Sequence, residues 1–182
     1  MSERPTSFDT PHNGAFLRLG ALEPWQQWSA FDVPRDQARA GRAKRFVTTI
    51  WNFHWVGDGG RRTLTERAIL MDETDETLWY RIPRPPAGAK RQWVAHWNGL
   101  ELAFKRGTPI VGVLKDVHSN RCSLKHVFDC RSRKINGSAM WLRLTPRSGA
   151  GCEVGSIDIR RIETQDLDAS PARLLVDPVH GV

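Results

Sequence analysis

Two copies of one aromatic pentapeptide, Trp-x-x-His-Trp, contain four of the eight tryptophans of this 182-residue chain. The first copy spans 51–55 and includes His54, and the second spans 93–97 and includes His96. Indole rings stack on nucleobases or enclose a cation, and an imidazole can hydrogen-bond to the edge of a base. We therefore expect an aromatic pocket for a flipped or unpaired base, with either histidine reading its edge and with stacking by Trp51, Trp55, Trp93 and Trp97. The alternative is that these rings fill a core between helix and sheet.

The charge of the chain indicates the class of partner. The formal net charge is +7, the pI is about 9.9, and 21 of the 27 basic residues are arginine. A basic domain attracts a polyanion, and the planar guanidinium fork matches phosphates and guanine edges. Arginine-rich composition is also typical of proteins from GC-rich genomes. We expect a nucleic acid as the partner, with DNA favoured over RNA.

A row of arginines falls in a segment that we predict to be helical. Residues 22–45 are expected to form two helical pieces, opened by Pro24 and Pro34. In the second piece, Arg35, Arg39 and Arg42 recur at spacings that place them on one helical face, where they would hold phosphates. The alternative is a solvated surface helix.

Further cations crowd a predicted hairpin of residues 122–130 and 139–145, which closes at Asn136-Gly137. A basic two-stranded ribbon can enter a groove or lie along a nucleic-acid backbone. The alternative is an edge strand that charge protects from aggregation. The residues that we expect to contact phosphates here are Arg121, Lys125, Arg131 and Arg133.

The remaining patterns favour a β-rich fold. Residues 46–56, 64–71 and 77–82 are rich in β-branched and aromatic residues and are expected to form an antiparallel meander with turns at 57–60 and 72–76. Further strands are predicted at 110–114 and 153–162. Residues 91–106 favour a helix that ends before Gly107, but Asn98-Gly99 leaves a hairpin as an alternative. The predicted fold class is α+β, a twisted mixed sheet or small open barrel flanked by one to three helices.

We expect three regions along the chain. They are a flexible N-terminal arm at 1–20, a single globular domain at 21–163 and an acidic C-terminal tail at 164–182. The N-terminus is polar, no stretch reaches the roughly 20 apolar residues of a membrane span, and three cysteines do not form a secreted disulfide framework. The sequence therefore predicts a cytoplasmic protein that does not contact membranes.

Metal chemistry is a weaker possibility. His118, Cys122, His126 and Cys130 recur every four residues and are potential zinc ligands, although the spacing is wrong for a zinc knuckle. The alternative is a hairpin with half-buried cysteines. A metal-dependent nuclease, with zinc or magnesium, would use acids and histidines drawn from Asp58, Glu66, Asp72, His118 and His126. We predict no cofactor and assign no catalytic residue.

The function that we expect is a nucleic-acid-binding module that reads a modified or flipped base with an aromatic pocket and an arginine-rich rim. A restriction or defence system is the context in which we would place such a module. The alternatives are a metal-dependent nuclease and a subunit that binds a protein partner through its tryptophan-rich face. Whether the protein is an enzyme stays open, since no complete catalytic signature is present.

Overall fold

A computed structural model describes residues 7–22, 27–56, 64–136, 139–147, 157, 159–162 and 175–176 of the chain. These residues form an α+β fold in which helices flank a mixed β-sheet. The sheet is not closed into a barrel. The predicted fold class is therefore confirmed.

The described residues contain three helices and twelve strands. The helices are α1 (His12–Arg18), α2 (Arg35–Arg39) and α3 (Arg91–Arg106). The strands are β1 (Thr10–Pro11), β2 (Ser29–Phe31), β3 (Phe46–Trp51), β4 (Phe53–Val56), β5 (Leu64–Arg67), β6 (Ile69–Asp72), β7 (Leu78–Pro83), β8 (Ile110–Lys115), β9 (Arg121–Asn136), β10 (Ala139–Pro146), β11 (Ile159–Ile162) and β12 (Leu175–Val176).

The larger sheet has the strand order β11-β6-β7-β10-β9-β8-β3-β2, with β1 paired to β9 beside this path. The β3–β8 and β6–β11 pairs are parallel, and the other pairs are antiparallel. The hairpin of β9 and β10 is confirmed, although Gly137 of its turn lies outside the described residues.

Asn52 marks the point where one long strand divides between two sheets. β3 ends at Trp51 in the larger sheet, and β4 begins at Phe53 in a smaller sheet of order β12-β4-β5. The Asn52 carbonyl accepts a hydrogen bond of 3.0 Å from the Ala68 N–H, at the matching break between β5 and β6. The β4–β5 and β6–β7 pairs agree with the predicted meander, but β3 instead pairs with β2 and β8. The predicted turn at 57–60 lies outside the described residues.

The core occupies both faces of the larger sheet. Leu100 of α3 is fully buried in one cluster, and Phe16 of α1 is fully buried in another. Along β8, Ile110 and Leu114 belong to the α3 cluster, whereas Val111 belongs to the α1 cluster. Side chains of a strand alternate between its faces, so the two helices cover opposite sides of the sheet.

The predicted helix over 91–106 is confirmed, and the alternative hairpin is wrong. Gly107 ends α3 in the left-handed conformation, with φ of 65°. Position 99 lies inside the helix and requires glycine, because a Cβ there would stand 3.0 Å from Cζ of Phe46. The glycine therefore brings α3 close to β3 and is not a turn residue.

The helical prediction for residues 22–45 is largely wrong. Ser29–Phe31 pairs antiparallel with the edge of β3, and this backbone pairing outweighs local helical preference. α2 covers only Arg35–Arg39, and Gly41 follows with φ of 79°, so Arg42 does not continue the helical face. Residues 23–26, including Pro24, lie outside the described residues.

The N-terminal segment is folded from Thr10 to Arg18, in contrast to the flexible arm that we predicted. Thr10 and Pro11 pair with β9, and α1 buries His12 and Phe16. Of the predicted tail, the structure describes Leu175–Val176, which pair with β4. Of the strand predicted at 153–162, it describes Ile157 and β11.

Candidate functional site

The two Trp-x-x-His-Trp copies meet around one small internal chamber. The first tryptophan and the histidine of each copy contribute to its wall, although one copy lies on strands and the other on a helix. The chamber has a volume of about 10 Å³, roughly the space for one water-sized group. Its lining residues are Trp28, Trp51, His54, Tyr80, Arg81, Ile82, Pro83, Trp93 and His96.

Local geometry explains how each copy reaches the chamber. Trp93 and His96 are three residues apart on α3, so they share one helical face. The Trp93 indole is anchored by a hydrogen bond of 2.9 Å from Nε1 to the Pro83 carbonyl. Trp51 and His54 stand on either side of the bend at Asn52, which lets both contribute to the same wall.

The chamber is aromatic and uncharged on its histidine side. The His54 ring lies 5.4 Å from the Tyr80 ring, and both residues are buried. Burial, with a smaller contribution from the Arg81 charge, lowers the pKa of His54 to about 3, while a hydrogen bond with the Arg81 backbone acts in the opposite direction. Burial also raises the pKa of the Tyr80 hydroxyl above its ordinary value. At neutral pH, His54 and Tyr80 are therefore uncharged. The Arg81 guanidinium lies 5.8 Å from the centroid of the Trp141 ring.

A larger cleft of about 390 Å³ lies beside the chamber. It is bounded by β2, the start of α2 and the first half of α3. Trp28 and His96 line both spaces, so their rings form the wall between them. The ring centroids are 5.7 Å apart in an edge-to-face arrangement, and His96 Nδ1 lies 2.9 Å from Ser29 Oγ.

The cleft combines an apolar floor with a cationic rim. Phe31 and Phe46 belong to the lining, where they are 9% and 1% exposed, and Gly99 of α3 lies close against Phe46. Arg35 and Arg91 are exposed at the mouth, and none of the described residues that line the cleft is acidic. The described lining of the cleft is therefore partly apolar and carries positive charge.

Two of the tryptophans that we predicted as stacking surfaces are covered by cations of the chain itself. Trp51 is 1% exposed, and Lys115 Nζ lies 4.7 Å from its ring centroid. Trp97 is also buried, with the Arg84 guanidinium 4.8 Å from its centroid. Cation–π contacts of this kind occupy the ring face that a base would need. The side chain of Trp55 lies outside the described residues.

The predicted phosphate contacts fall into two groups. Arg35 lines the cleft, while Arg39, Arg42 and Lys125 are exposed elsewhere on the surface. The second group makes contacts within the protein. Arg121 donates to the carbonyls of Phe8 at 3.2 Å and Asp9 at 2.6 Å, Arg131 lies 3.8 Å from Asp129, and Arg133 lies over the Phe104 ring at 4.8 Å.

The potential metal ligands are dispersed. Cys122 and Cys130 are buried in separate core clusters, and His118 is exposed. Asp58 lies outside the described residues, and Glu66 lies 3.8 Å from Arg160. Within the described ranges, no three His, Cys, Asp or Glu side chains come together to hold a metal ion. No helix of the described residues is long and apolar enough to cross a membrane.

Sequence reasoning missed several residues of the site. Trp28 stood out only as one of two tryptophans near the start, and Ser29 and Arg91 carried no signal. They reach the cleft through the pairing of β2 with β3 and the position of α3. Comparisons with protein-family models, with curated proteins and with solved structures find no match for this chain.

Proposed function

We propose that the protein binds nucleic acid and that the cleft between β2, α2 and α3 receives one unstacked base. The observation that carries this proposal is that one cleft combines an apolar lining, the hydrogen-bonded pair of Ser29 and His96, and two exposed arginines. The cleft volume of about 390 Å³ lies within the range of small-ligand sites. A base in the cleft would pack against its apolar lining, and the Ser29–His96 pair would hydrogen-bond to its edge.

The charges support a nucleotide over a neutral ligand. Arg35 and Arg91 line the cleft from different elements, α2 and α3, and both are exposed. Two guanidinium groups in this position would bind the phosphates on either side of the base. The net charge of +7 would bring the polyanion to this surface and make binding strongly salt-dependent.

Fluorescence anisotropy with labelled single-stranded and double-stranded oligonucleotides, at two salt concentrations, tests the proposal. Arg35→Glu and Arg91→Glu should each weaken binding about tenfold and flatten the salt dependence, because each removes a charged hydrogen bond to phosphate. Arg39→Glu is the matched control, since Arg39 is exposed on the same helix but does not line the cleft.

The outcomes separate the candidate functions. Absence of binding at low salt would overturn the proposal and favour a protein partner. Equal losses in the Arg35 and Arg39 variants would place binding on a general basic surface and not in the cleft. Cleavage of the oligonucleotide that depends on Mg²⁺ would favour the nuclease alternative.

A further inference from the structure

We infer that a second surface, on the face of the larger sheet opposite α3, binds the sugar-phosphate backbone of a nucleic acid. The inference rests on the proposed function for its partner, but none of the residues that it uses lines the cleft. The surface combines three cations with two indole rings on β7, β9 and β10. We call it the sheet-face patch, and its residues are Trp79, Arg81, Lys134, Trp141 and Arg143.

Strand register places the five side chains of the patch on one face. Arg81 of β7 pairs with Trp141 of β10, and Trp141 pairs in turn with Lys134 of β9. Two positions along the strands, Trp79 of β7 pairs with Arg143 of β10. Residues that are paired directly, or that lie two apart on one strand, share a face of the sheet. Cations and indoles therefore alternate across this surface.

The other face of the same strands is occupied by the core. Tyr80 and Leu142 alternate with the patch residues along β7 and β10, and both are buried in the cluster that contains Leu100 of α3. On the patch side, the core cluster beneath α1 draws on β3, β8 and β9 and, among the described residues, includes none from β7 or β10. The patch therefore lies opposite α3 and beside the region that α1 covers.

The two indoles hold the cations in place. Lys134 Nζ lies 4.8 Å from the centroid of the Trp79 ring, and Arg81 Cζ lies 5.8 Å from that of Trp141. Both tryptophans are buried, whereas Lys134 and Arg143 are exposed and Arg81 is half-buried. A cation held over a ring loses less conformational freedom when a ligand binds. The rings therefore preorganise positive charge at the surface.

The patch carries more positive charge than its neighbouring acids neutralise. Within the ranges that the structure describes, no ion pair joins Arg81, Lys134 or Arg143 to a carboxylate. Hydrogen bonds with Thr77 and, to a smaller extent, the charge of Arg143 hold the pKa of the exposed Asp75 below its usual range, so one acid lies near the patch. Cations on one surface repel each other, and a bound polyanion relieves this repulsion. Repeated phosphates match several cations of one surface.

Fluorescence anisotropy with two labelled single-stranded oligonucleotides of unrelated sequence tests the patch. Lys134→Gln and Arg143→Gln should each weaken binding about two- to fivefold, the range for an exposed charge pair. Each should also lower the slope of log affinity against log salt by about one, because one phosphate contact is lost. The losses should be equal for the two sequences, since phosphate contacts carry no sequence information.

Arg133→Gln is the matched control. Arg133 precedes Lys134 on β9 but points to the opposite face, where its guanidinium lies 4.8 Å from the centroid of the Phe104 ring. The substitution removes the same charge from the same strand and should leave affinity and salt slope nearly unchanged. Because Lys134 and Arg143 are exposed, their variants should unfold at the wild-type temperature, which thermal denaturation checks.

A double variant separates the patch from the cleft. Arg35→Glu combined with Lys134→Gln should weaken binding by the product of the two single effects, because the two side chains share no contact partner. A loss in Lys134→Gln and Arg143→Gln without a loss in Arg35→Glu would support the patch and overturn the proposed role of the cleft.

The remaining outcomes bear on the patch itself. Full affinity in both Lys134→Gln and Arg143→Gln would overturn the inference and leave the proposed function intact. An equal loss in Arg133→Gln would overturn it as well, because binding would then depend on overall charge. Absence of binding to both oligonucleotides would overturn both proposals. A poly-glutamate peptide that binds as tightly as the oligonucleotides, and that is weakened by the same variants, would indicate an acidic protein partner and overturn the inference.

Discussion

Ser29 and His96 are 67 residues apart in the sequence and are joined by a hydrogen bond of 2.9 Å between Oγ and Nδ1. The contact ties β2 to α3 at the wall of the cleft. A second pair of the same chemistry, Ser123 and His126 at 2.7 Å, is buried within β9 and lines neither described space. Variants of the two pairs can therefore distinguish a contribution of the serine–histidine hydrogen bond to binding from a contribution to stability.

Replacing each serine tests that separation. Ser29→Ala should weaken oligonucleotide binding about five- to tenfold, because it removes one hydrogen-bonding group from the cleft wall. Ser123→Ala should leave binding unchanged and lower the free energy of unfolding by about 1–3 kcal/mol, because it leaves a buried polar atom unsatisfied. Anisotropy and chemical denaturation of both variants give the two quantities. An unchanged affinity in Ser29→Ala would remove this side chain from the base contact.

Asn52 should be a centre of stability. Its Oδ1 accepts hydrogen bonds of 2.9 Å from the N–H groups of Phe53 and Val117, and its Nδ2 donates to Asp116 at 3.1 Å. Asn52→Ala should lower the free energy of unfolding by about 2–4 kcal/mol, since buried backbone donors lose their partner. Asn98→Ala on the exposed face of α3 is the control and should change it little. Urea denaturation measures both, and similar values for the two variants would contradict this role.

The buried His54 should make stability fall in acid. Its pKa is lowered from 6.5 to about 3, so between these values the unfolded chain binds a proton that the folded chain excludes. Stability contributed by neutral His54 is present above pH 6.5 and is lost by about 1.4 kcal/mol per pH unit as the pH falls toward 3. His54→Phe should abolish this contribution, whereas His118→Gln, at an exposed position, should retain it. Denaturation across this pH range measures the difference, and parallel curves for wild type and His54→Phe would contradict the assignment.

Lys115 should destabilise the folded protein near neutral pH. Its side chain is fully buried, Nζ lies over Trp51, and no hydrogen-bond acceptor for Nζ is found in the described part of the chain. Burial lowers the pKa of Lys115 from 10.5 to about 8. Lys115→Met should therefore raise the free energy of unfolding by about 1–2 kcal/mol at neutral pH, after the loss of the cation–π contact is included.

The same substitution has a pH signature. The unfolded chain holds the Lys115 proton between pH 8 and 10.5 while the folded chain releases it, so wild-type stability rises through this window relative to the variant. The increase in the free energy of unfolding that Lys115→Met produces should therefore become smaller as the pH rises. Lys125→Met, at an exposed position on β9, is the control and should show no such window. A constant difference between wild type and Lys115→Met would contradict a lowered pKa.

Elements that depend on local pattern could be predicted from the sequence. The strand at 110–114 is a short apolar run after Pro109, and the helix at 91–106 combines an apolar stripe with a glycine stop. The β9–β10 hairpin follows from alternating residues around Asn136-Gly137. In each case, the deciding interactions lie within a few residues along the chain.

Elements that depend on distant pairing could not be predicted. Ser29–Phe31 is a strand because the edge of β3 offers hydrogen bonds, which no pattern near residue 29 reveals. The parallel pairing of β3 with β8 joins residues more than sixty positions apart and separates β3 from its predicted neighbour. The break at Asn52 depends on Asp116 and Val117 in a distant loop, so one predicted strand became two.

The sequence by itself determined the composition of the site: two histidines, each three residues after a tryptophan, in a strongly basic chain. Only the tertiary structure decided that Trp51, His54, Trp93 and His96 line one chamber. It also placed Ser29 against His96 in the neighbouring cleft. The physical reason is that a strand alternates its side chains and a helix repeats them every three to four residues. Two copies of the same Trp-x-x-His-Trp motif therefore place their side chains in different local directions, and the tertiary packing brings both to one chamber.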